Sequence, residues 1–358
     1  MLWLMLTCLT ASLTLALCWW PFNFFPANDV VVAPVQGKAF FNMGLAAERP
    51  YGRGQAVTAE PVRFDAAQGA TFRFVLTPSE KPAGLGCILA LHDGGEQAPF
   101  VIAQWQEHLA LFVRAPETAK GYREVGLRSA LPIGKTTTLD IATTTRETRV
   151  LIDGQPRAVY SGFALLSGQG QIQGRLILAN NQHGTEPWRG SIQRVTVHGA
   201  APSLASVGET MQQPLLDHNF SAGERQLGGN QAVMPLRFTI PVQFNPLAPI
   251  IMAPLSRKAF RRNSIWPDIA WNILGFLPVS ACFAVLAGTG TNIPITRFCL
   301  TVLAAFLFSL FIETGQIFLP TRHSSQLDVL CNTAGAFFVT FVFRSTAYTG
   351  GIYPLEHA

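Results

Sequence analysis

The sequence predicts a multidomain fold in which an all-β jelly-roll sandwich is inserted into a four-helix transmembrane bundle. Three observations carry this expectation. The 358 residues are 49% hydrophobic and 13% charged, more apolar than an ordinary soluble chain, and the apolar excess sits in residues 1–20 and 265–343. The middle of the chain is polar, rich in glycine and broken by turns. Near the C-terminus, in IETGQIFLPTRHSSQLDVLCNTAGA (residues 312–336), a glutamate, an arginine and an aspartate interrupt sequence otherwise apolar enough for a bilayer.

Charge narrows the function classes. The formal net charge is +5, and Arg257, Lys258, Arg261 and Arg262 account for four of those charges. Residues 25–238 are close to neutral and show no basic stripe, which argues against a nucleic-acid partner. A basic cluster beside apolar spans suits lipid headgroups or a phosphate instead. Of six cysteines, five fall in apolar segments and Cys87 stands alone in the polar region, so they read as small packing residues rather than a disulfide framework. The sequence calls for no cofactor and no metal.

Taken in order, residues 1–24 hold the first helix. Residues 2–20 carry no charge and would span about 28 Å, with Trp19 and Trp20 as interfacial anchors. The absence of a basic stretch before it and of small residues after it favours a retained helix over a cleaved leader. Residues 34–238 form the sandwich. Strands are expected at Thr71–Leu76, Cys87–His92, Leu109–Arg114, Thr138–Ala142, Arg149–Ile152, Gly174–Ala179 and Ile192–Val197, separated by turn signals such as Asp93-Gly94-Gly95 and Asp153-Gly154. Residues 239–264 are a connector with the basic cluster, preceded by one more strand across residues 236–244. Residues 265–345 supply three spans, Ile269–Gly288, Phe298–Phe318 and Leu327–Phe343, the last reaching only about 26 Å.

The polar residues of these spans fall in a pattern. Asp268, Asn272 and Gly275 stand at i, i+4 and i+7, as do Asp328, Asn332 and Gly335, so each trio shares a helix face. Glu313 and Gln316 share a face of the helix between them. Spacing therefore predicts a cluster of Asp268, Asn272, Glu313, Gln316, Asp328 and Asn332, with Arg322 and His323 in the loop beside it. An ionisable group at the bilayer centre costs about 2.5 to 3.5 kcal/mol on insertion scales, which makes each a site candidate. Glu313, Asp268, Asp328 and Arg322 are the candidates for chemistry. Asn272, Gln316, Asn332, His323 and the basic cluster of Arg257, Lys258, Arg261 and Arg262 are the candidates for binding. The plainer account is that Asp268 and Asp328 complement helix starts, Ser325-x-x-Asp328 having the form of a capping box. That account leaves Glu313, a turn and a half inside its span, without a capping role; pairing with Arg322 would neutralise it, or burial would keep it protonated.

In the sandwich, TFRFVLTP, GCILALHD, FVIAQWQEHLALFV, TRVLIDGQ and LILANNQHGTEPWRGSIQRVTVHG together resemble the laminin-G or concanavalin A-like jelly roll. The strand with paired carboxylates that glycosidases of this architecture use is absent from the sequence. Asp93, Asp153, Asn180 and Asn181 read first as turn residues, and Trp105 and Trp188 either as core aromatics, the commoner place for them in a sandwich, or as faces able to stack on a sugar ring, with Trp188 kept as the binding candidate. In the spans, Asp268-x-x-x-Asn272-x-x-Gly275-Phe276-x-Pro278, then Glu313-x-x-Gln316 with Pro320 and Arg322, then Ser325-x-x-Asp328-x-x-x-Asn332-x-x-Gly335 resemble the VanZ-like family. The exit of the first helix, Trp20-Pro21-Phe22-Asn23-Phe24, looks like the end of that family's opening span. One departure is Val279-Ser280, where a small residue such as glycine is common. The resemblance implies a multi-pass protein of a bacterial inner (cytoplasmic) membrane and cell envelope. It places the sandwich outside the cytoplasm and links the chain to glycopeptide-antibiotic resistance or envelope polysaccharide. The partners expected are the lipid bilayer and a glycan or surface partner. The alternative is a membrane enzyme or transporter acting on a lipid-linked phosphate, with Glu313 as acid/base or proton carrier.

Overall fold

Two units make up the chain, Met1–Phe24 with Ile250–Ala358 and Phe25–Pro249. A computed structural model describes residues 1–20, 22–44, 54–166, 170–200, 213–220, 236–255, 265–290, 293–320, 322 and 324–349.

The second unit is a sandwich of two antiparallel sheets. One contains β1 (Val30–Ala33), β2 (Lys38–Phe41), β5 (Ala70–Pro78), β10 (Thr137–Thr143), β11 (Glu147–Ile152), β12 (Gln155–Ser161), β14 (Gly190–His198) and β15 (Leu216–Asn219). Its order is β1-β2-β14-β5-β10-β11-β12, with β15 also paired to β14. The other contains β3 (Ala56–Thr58), β4 (Val62–Asp65), β6 (Leu85–His92), β7 (Phe100–Trp105), β8 (His108–Arg114), β9 (Tyr122–Leu127), β13 (Gln171–Leu178) and β16 (Phe238–Thr239). Its order is β16-β3-β13-β6-β7-β8-β9, with β4 also paired to β13.

Alternation builds the core. In β5, Phe72, Phe74 and Leu76 are fully buried while Arg73 between them is exposed. Phe64, Phe72 and Phe100 meet across the two sheets, the Phe72 and Phe100 rings 5.2 Å apart. The β11–β12 hairpin turns at Asp153 and Gly154, at φ 52° and 76°, the pairing a two-residue turn with both residues left-handed requires. β7 was not expected, and the reason is physical. Cys87, Ala90, Ala98, Val101 and Ala103 form a second buried cluster beside the main core, so β6 and β7 are buried without alternation. β12 is the reverse case, a polar edge strand that includes Pro156 and Arg157. The strand expected across residues 236–244 shrinks to Phe238–Thr239, paired with β3.

Helices α1 (Leu2–Trp19), α2 (Ile265–Gly290), α3 (Pro294–Gln316) and α4 (Gln326–Thr349) belong to the other unit. α2 and α3 begin about a turn earlier than expected, with Pro267 and Pro294 in their first turns, where a missing N–H is harmless. Among the described residues three helices are long and apolar enough to cross a membrane: Leu2–Trp19, Ile265–Gly288 and Pro294–Gln316. The apolar stretch of α4, Gln326–Val342, is shorter. Leu4, Leu9, Leu13, Leu303, Leu307, Phe311, Phe337 and Phe341 are exposed, a surface that suits lipid rather than water.

Small residues set the helix contacts. A Cβ added at Gly315 would overlap the Trp19 ring, whose Nε1–H donates to the Ile312 carbonyl at 3.1 Å. One added at Gly335 would come within 2.9 Å of the Ile273 carbonyl oxygen, so α4 meets α2 there. Gly275 has nothing within 4 Å and serves no such contact, although it stands in its trio where Gly335 stands in the other.

Candidate functional site

The helical unit brings together part of the polar cluster that spacing predicts. Glu313, only 2% exposed, accepts a hydrogen bond on Oε2 from the backbone N–H of Ser325 at 2.8 Å. The Ser325 hydroxyl oxygen in turn accepts the Leu327 N–H at 3.1 Å, which makes Ser325 the cap of α4. In an ordinary capping box the acidic residue three positions on would take the Ser325 N–H. Here a carboxylate from α3 takes it, and Asp328 instead accepts from Asn272 Nδ2 at 2.7 Å. Glu313 thus does have a capping role, directed at another helix. It is not paired with Arg322, whose guanidinium donates to the Trp20 carbonyl.

The remaining candidates divide. Asn332 donates to the Ser309 hydroxyl at 2.9 Å, and Gln316 Nε2 reaches the Cys18 carbonyl at 3.4 Å. Asp268 lies in the first turn of α2 and is exposed, outside the buried part of the cluster. His323, Arg257, Lys258, Arg261 and Arg262 lie outside the described residues. Ser309 was missed, yet its signal was available. Thr301, Ala305, Ser309, Glu313 and Gln316 recur at helical spacing and are all buried. The segment before α2 also steadies this junction: Ala253 N–H donates to the Ser324 carbonyl at 2.8 Å, and Met252 N–H to the Ser324 hydroxyl at 3.1 Å. Hydrogen bonds between helices are what this arrangement supplies.

In the sandwich, Trp188 is fully buried and its Nε1–H donates to Gln104 Oε1 at 2.7 Å. Its ring is a core element and is not offered to a ligand, which corrects the expectation of a sugar-stacking face. Gly190 explains the packing, since a Cβ there would overlap that ring and approach the Thr77 carbonyl oxygen to 2.5 Å. Trp105 is 51% exposed, beside the His108 ring. Asp153 accepts the Thr138 N–H at 2.8 Å, and Asn181 Oδ1 accepts from His183 and Thr185, so both behave as turn residues.

A cleft of about 520 Å³ opens on the second sheet, lined by Pro61, His92, Asp93, Gly94 and Leu247 together with Gln173, Gly174 and Arg175. Strand register creates it. His92 at the end of β6 faces Arg175 on β13, and Gln173 and Arg175 are both exposed on that strand. Gly174 between them faces the other side of the strand and lets β13 lie close to β6, because a Cβ there would meet the His92 carbonyl oxygen at 2.5 Å. Asp93 is tied by Arg114 at 2.8 Å and by the Gly95 N–H at 3.0 Å. Burial pushes its carboxyl up, but these bonds outweigh that and hold it below the usual carboxylate range. Burial holds His92 below the ordinary histidine range, and its Nδ1 is buried with no hydrogen-bond partner among the described residues.

His183, which the sequence did not single out, braces two walls of this cleft. Its Nδ1 lies 2.6 Å from the Ala248 carbonyl and its Nε2 3.0 Å from the Glu96 carbonyl. Ala248 N–H donates to the Gln182 carbonyl at 2.9 Å, and Gln182 Nε2 to the Glu96 carbonyl at 3.0 Å. Among the described residues no three His, Cys, Asp or Glu side chains converge to hold a metal ion.

Several solved structures resemble the chain at low similarity. A native heptameric SAP-like pentraxin from Limulus polyphemus shares 14% identity at a TM-score of 0.36, over 46% of this chain and 77% of the pentraxin. The CBM40 of Ruminococcus gnavus IT-sialidase shares 12% at 0.33, over 43% and 95%. Trypanosoma rangeli sialidase in complex with sialic acid shares 15% at 0.36, over 49% and 27%. Likenesses at this level say nothing of a ligand. No curated protein matches the chain. Residues 209–347 match the family described as VanZ/LLP1, a range that takes in α2, α3 and α4. With that match and three helices apolar enough to cross a bilayer, the chain is a membrane protein with a VanZ-like C-terminal region.

Proposed function

We propose that this membrane protein is a saccharide receptor of a bacterial cell envelope, held by its helices in the inner membrane with the sandwich outside the cytoplasm. The cleft carries this reading. It joins the exposed Gln173 and Arg175 on one face of β13 to polar side chains fixed by strand register, the general form of a small-ligand site. An envelope polysaccharide is the natural ligand for such a site, and a part in glycopeptide resistance would follow from binding it. The basic cluster at Arg257, Lys258, Arg261 and Arg262 would then meet anionic headgroups. The positive-inside rule favours the opposite orientation, but large domains cross largely regardless of charge. An alkaline phosphatase fusion after Gly199 tests the topology, and an inactive fusion would overturn it. Saccharide binding is tested with the full chain in detergent on immobilised oligosaccharides. Gln173→Trp, which fills the cleft, is expected to remove binding, and its retention would move the site elsewhere.

The alternative assigns Glu313 to acid/base work or proton transfer on a lipid-linked phosphate. What favours it is the burial of that carboxylate in an apolar span. It requires Glu313 to release the Ser325 N–H during turnover. Glu313→Gln keeps an acceptor for that N–H and removes the proton chemistry, so it separates the two readings.

A further inference from the structure

We infer that the cleft takes an acidic saccharide, with a sugar-borne oxyanion received by Arg175 beside the imidazole of His92. The inference rests on the saccharide reading above and adds the charge of the ligand and the residue that reads it.

The charges facing the cleft decide the matter. Asp93 and Arg114 form an ion pair, and the Gly95 N–H completes the coordination of the Asp93 carboxylate, so this pair contributes no net charge. His92 is held toward its neutral form by burial. Arg175 remains. No described carboxylate lies within ion-pairing distance of it, unlike Arg73, Arg149 and Arg194, each of which has an acidic partner. Its side chain is exposed at the cleft wall, and its guanidinium is a planar fork of donors suited to two oxygens of one anion.

Geometry adds specificity for a sugar over a free ion. Gln173 and Arg175 lie on the same side of β13, about 6.6 Å apart at the rise of a strand, with Gly174 between them turned to the other face. A ring can lie over Gly174 with its anionic substituent toward Arg175 and a hydroxyl toward the Gln173 amide. The imidazole of His92 stands opposite Arg175 on the facing strand, with its Nδ1 buried and without a partner among the described residues. A solvated surface arginine would lack these neighbours.

The test uses the full chain in nanodiscs and three probes: an oligogalacturonate, the same oligomer as its methyl ester, and a sulfated galactan oligomer. The acid is expected to bind at least tenfold more tightly than the ester, as a charge-assisted contact implies. Arg175→Gln, at unchanged melting temperature, is expected to abolish that preference. Whichever of the carboxylate and sulfate probes binds more tightly then names the oxyanion. Equal binding of acid and ester by the native protein, or a preference that survives Arg175→Gln, overturns the inference and leaves the saccharide reading standing. Failure of all three probes to bind overturns both.

Discussion

Replacing Glu313 with alanine leaves the N–H of Ser325 at the start of α4 without its partner. The bond is 2.8 Å long and joins a neutral donor to a carboxylate that is 2% exposed. Hydrogen bonds to charged groups contribute about 1.5 to 3 kcal/mol, and a carboxylate at a helix N-terminus adds about 0.3 to 1 kcal/mol through the helix dipole. The alanine variant should therefore lose about 3 kcal/mol in the helical unit. Glu313→Gln, which keeps an acceptor oxygen, should lose only about 1 kcal/mol. Unfolding in mixed micelles, followed by the helical circular-dichroism signal, measures both. If the alanine variant falls within about 0.5 kcal/mol of the native protein, the interhelical cap is not holding α4. If the glutamine variant keeps its fold and abundance but loses all function, the acid/base reading gains what the capping reading loses.

Three further outcomes are expected. His218 on β15 has its ring 4.3 Å from Phe220, and burial, with Arg237 nearby, pushes its pKa down to about 4 from an ordinary 6.5. Above pH 6.5 it is neutral folded or unfolded. As the pH falls through that value the unfolded chain gains a proton that the fold refuses until about pH 4. Stability should drop by about 2 kcal/mol across this window on account of His218, allowing for partial solvent contact, and His218→Phe should remove that part of the drop and leave the part due to His92, as read from urea melts at several pH values. Gly190→Ala should cost about 3 kcal/mol or more, read as a lower urea midpoint for the sandwich, since the new methyl group has the Trp188 ring and the Thr77 carbonyl in its way. Gly335→Leu should disrupt the contact of α4 with the Ile273 carbonyl and lower the amount of protein recovered from membranes, while Gly275→Leu, at an open position, should not.

Sequence reading found strands whose side chains alternate between core and surface, β5, β8 and β11 most clearly, and also β6, which is buried without alternation but runs into the Asp93-Gly94-Gly95 turn. β7 escaped because both its faces are covered, and β12 because an edge strand carries no apolar stripe. Trp188 was misread for want of one neighbour. Gly190, two residues on, leaves the space its ring fills, and a tryptophan beside such a glycine is better read as core. The burial of Glu313 was legible in the spacing of Thr301, Ala305 and Ser309. Its partner was not, because a backbone N–H of another helix leaves no mark in composition. The cleft was invisible for a similar reason. It depends on the register that sets His92 opposite Arg175, residues eighty-three positions apart in the chain.

The two units use their ionisable groups in opposite ways, and this bears on where a ligand should be sought. In the bundle the buried Glu313 and the half-buried Asp328 are each engaged by a neutral donor from a neighbouring element, Glu313 by the Ser325 N–H and Asp328 by the Asn272 amide. Removing either donor leaves an unsatisfied acceptor in an apolar span, so these bonds are what the positions require for folding. In the sandwich, Arg73, Arg114, Arg149 and Arg194 are each matched with an acid, whereas Arg175 at the cleft wall has no acidic partner among the described residues. A polar group that completes its bonding within the fold has little left to offer a ligand. By that criterion the polar cluster among the helices, which first draws attention in the sequence, is the weaker place to look, and the arginine of β13 is the stronger.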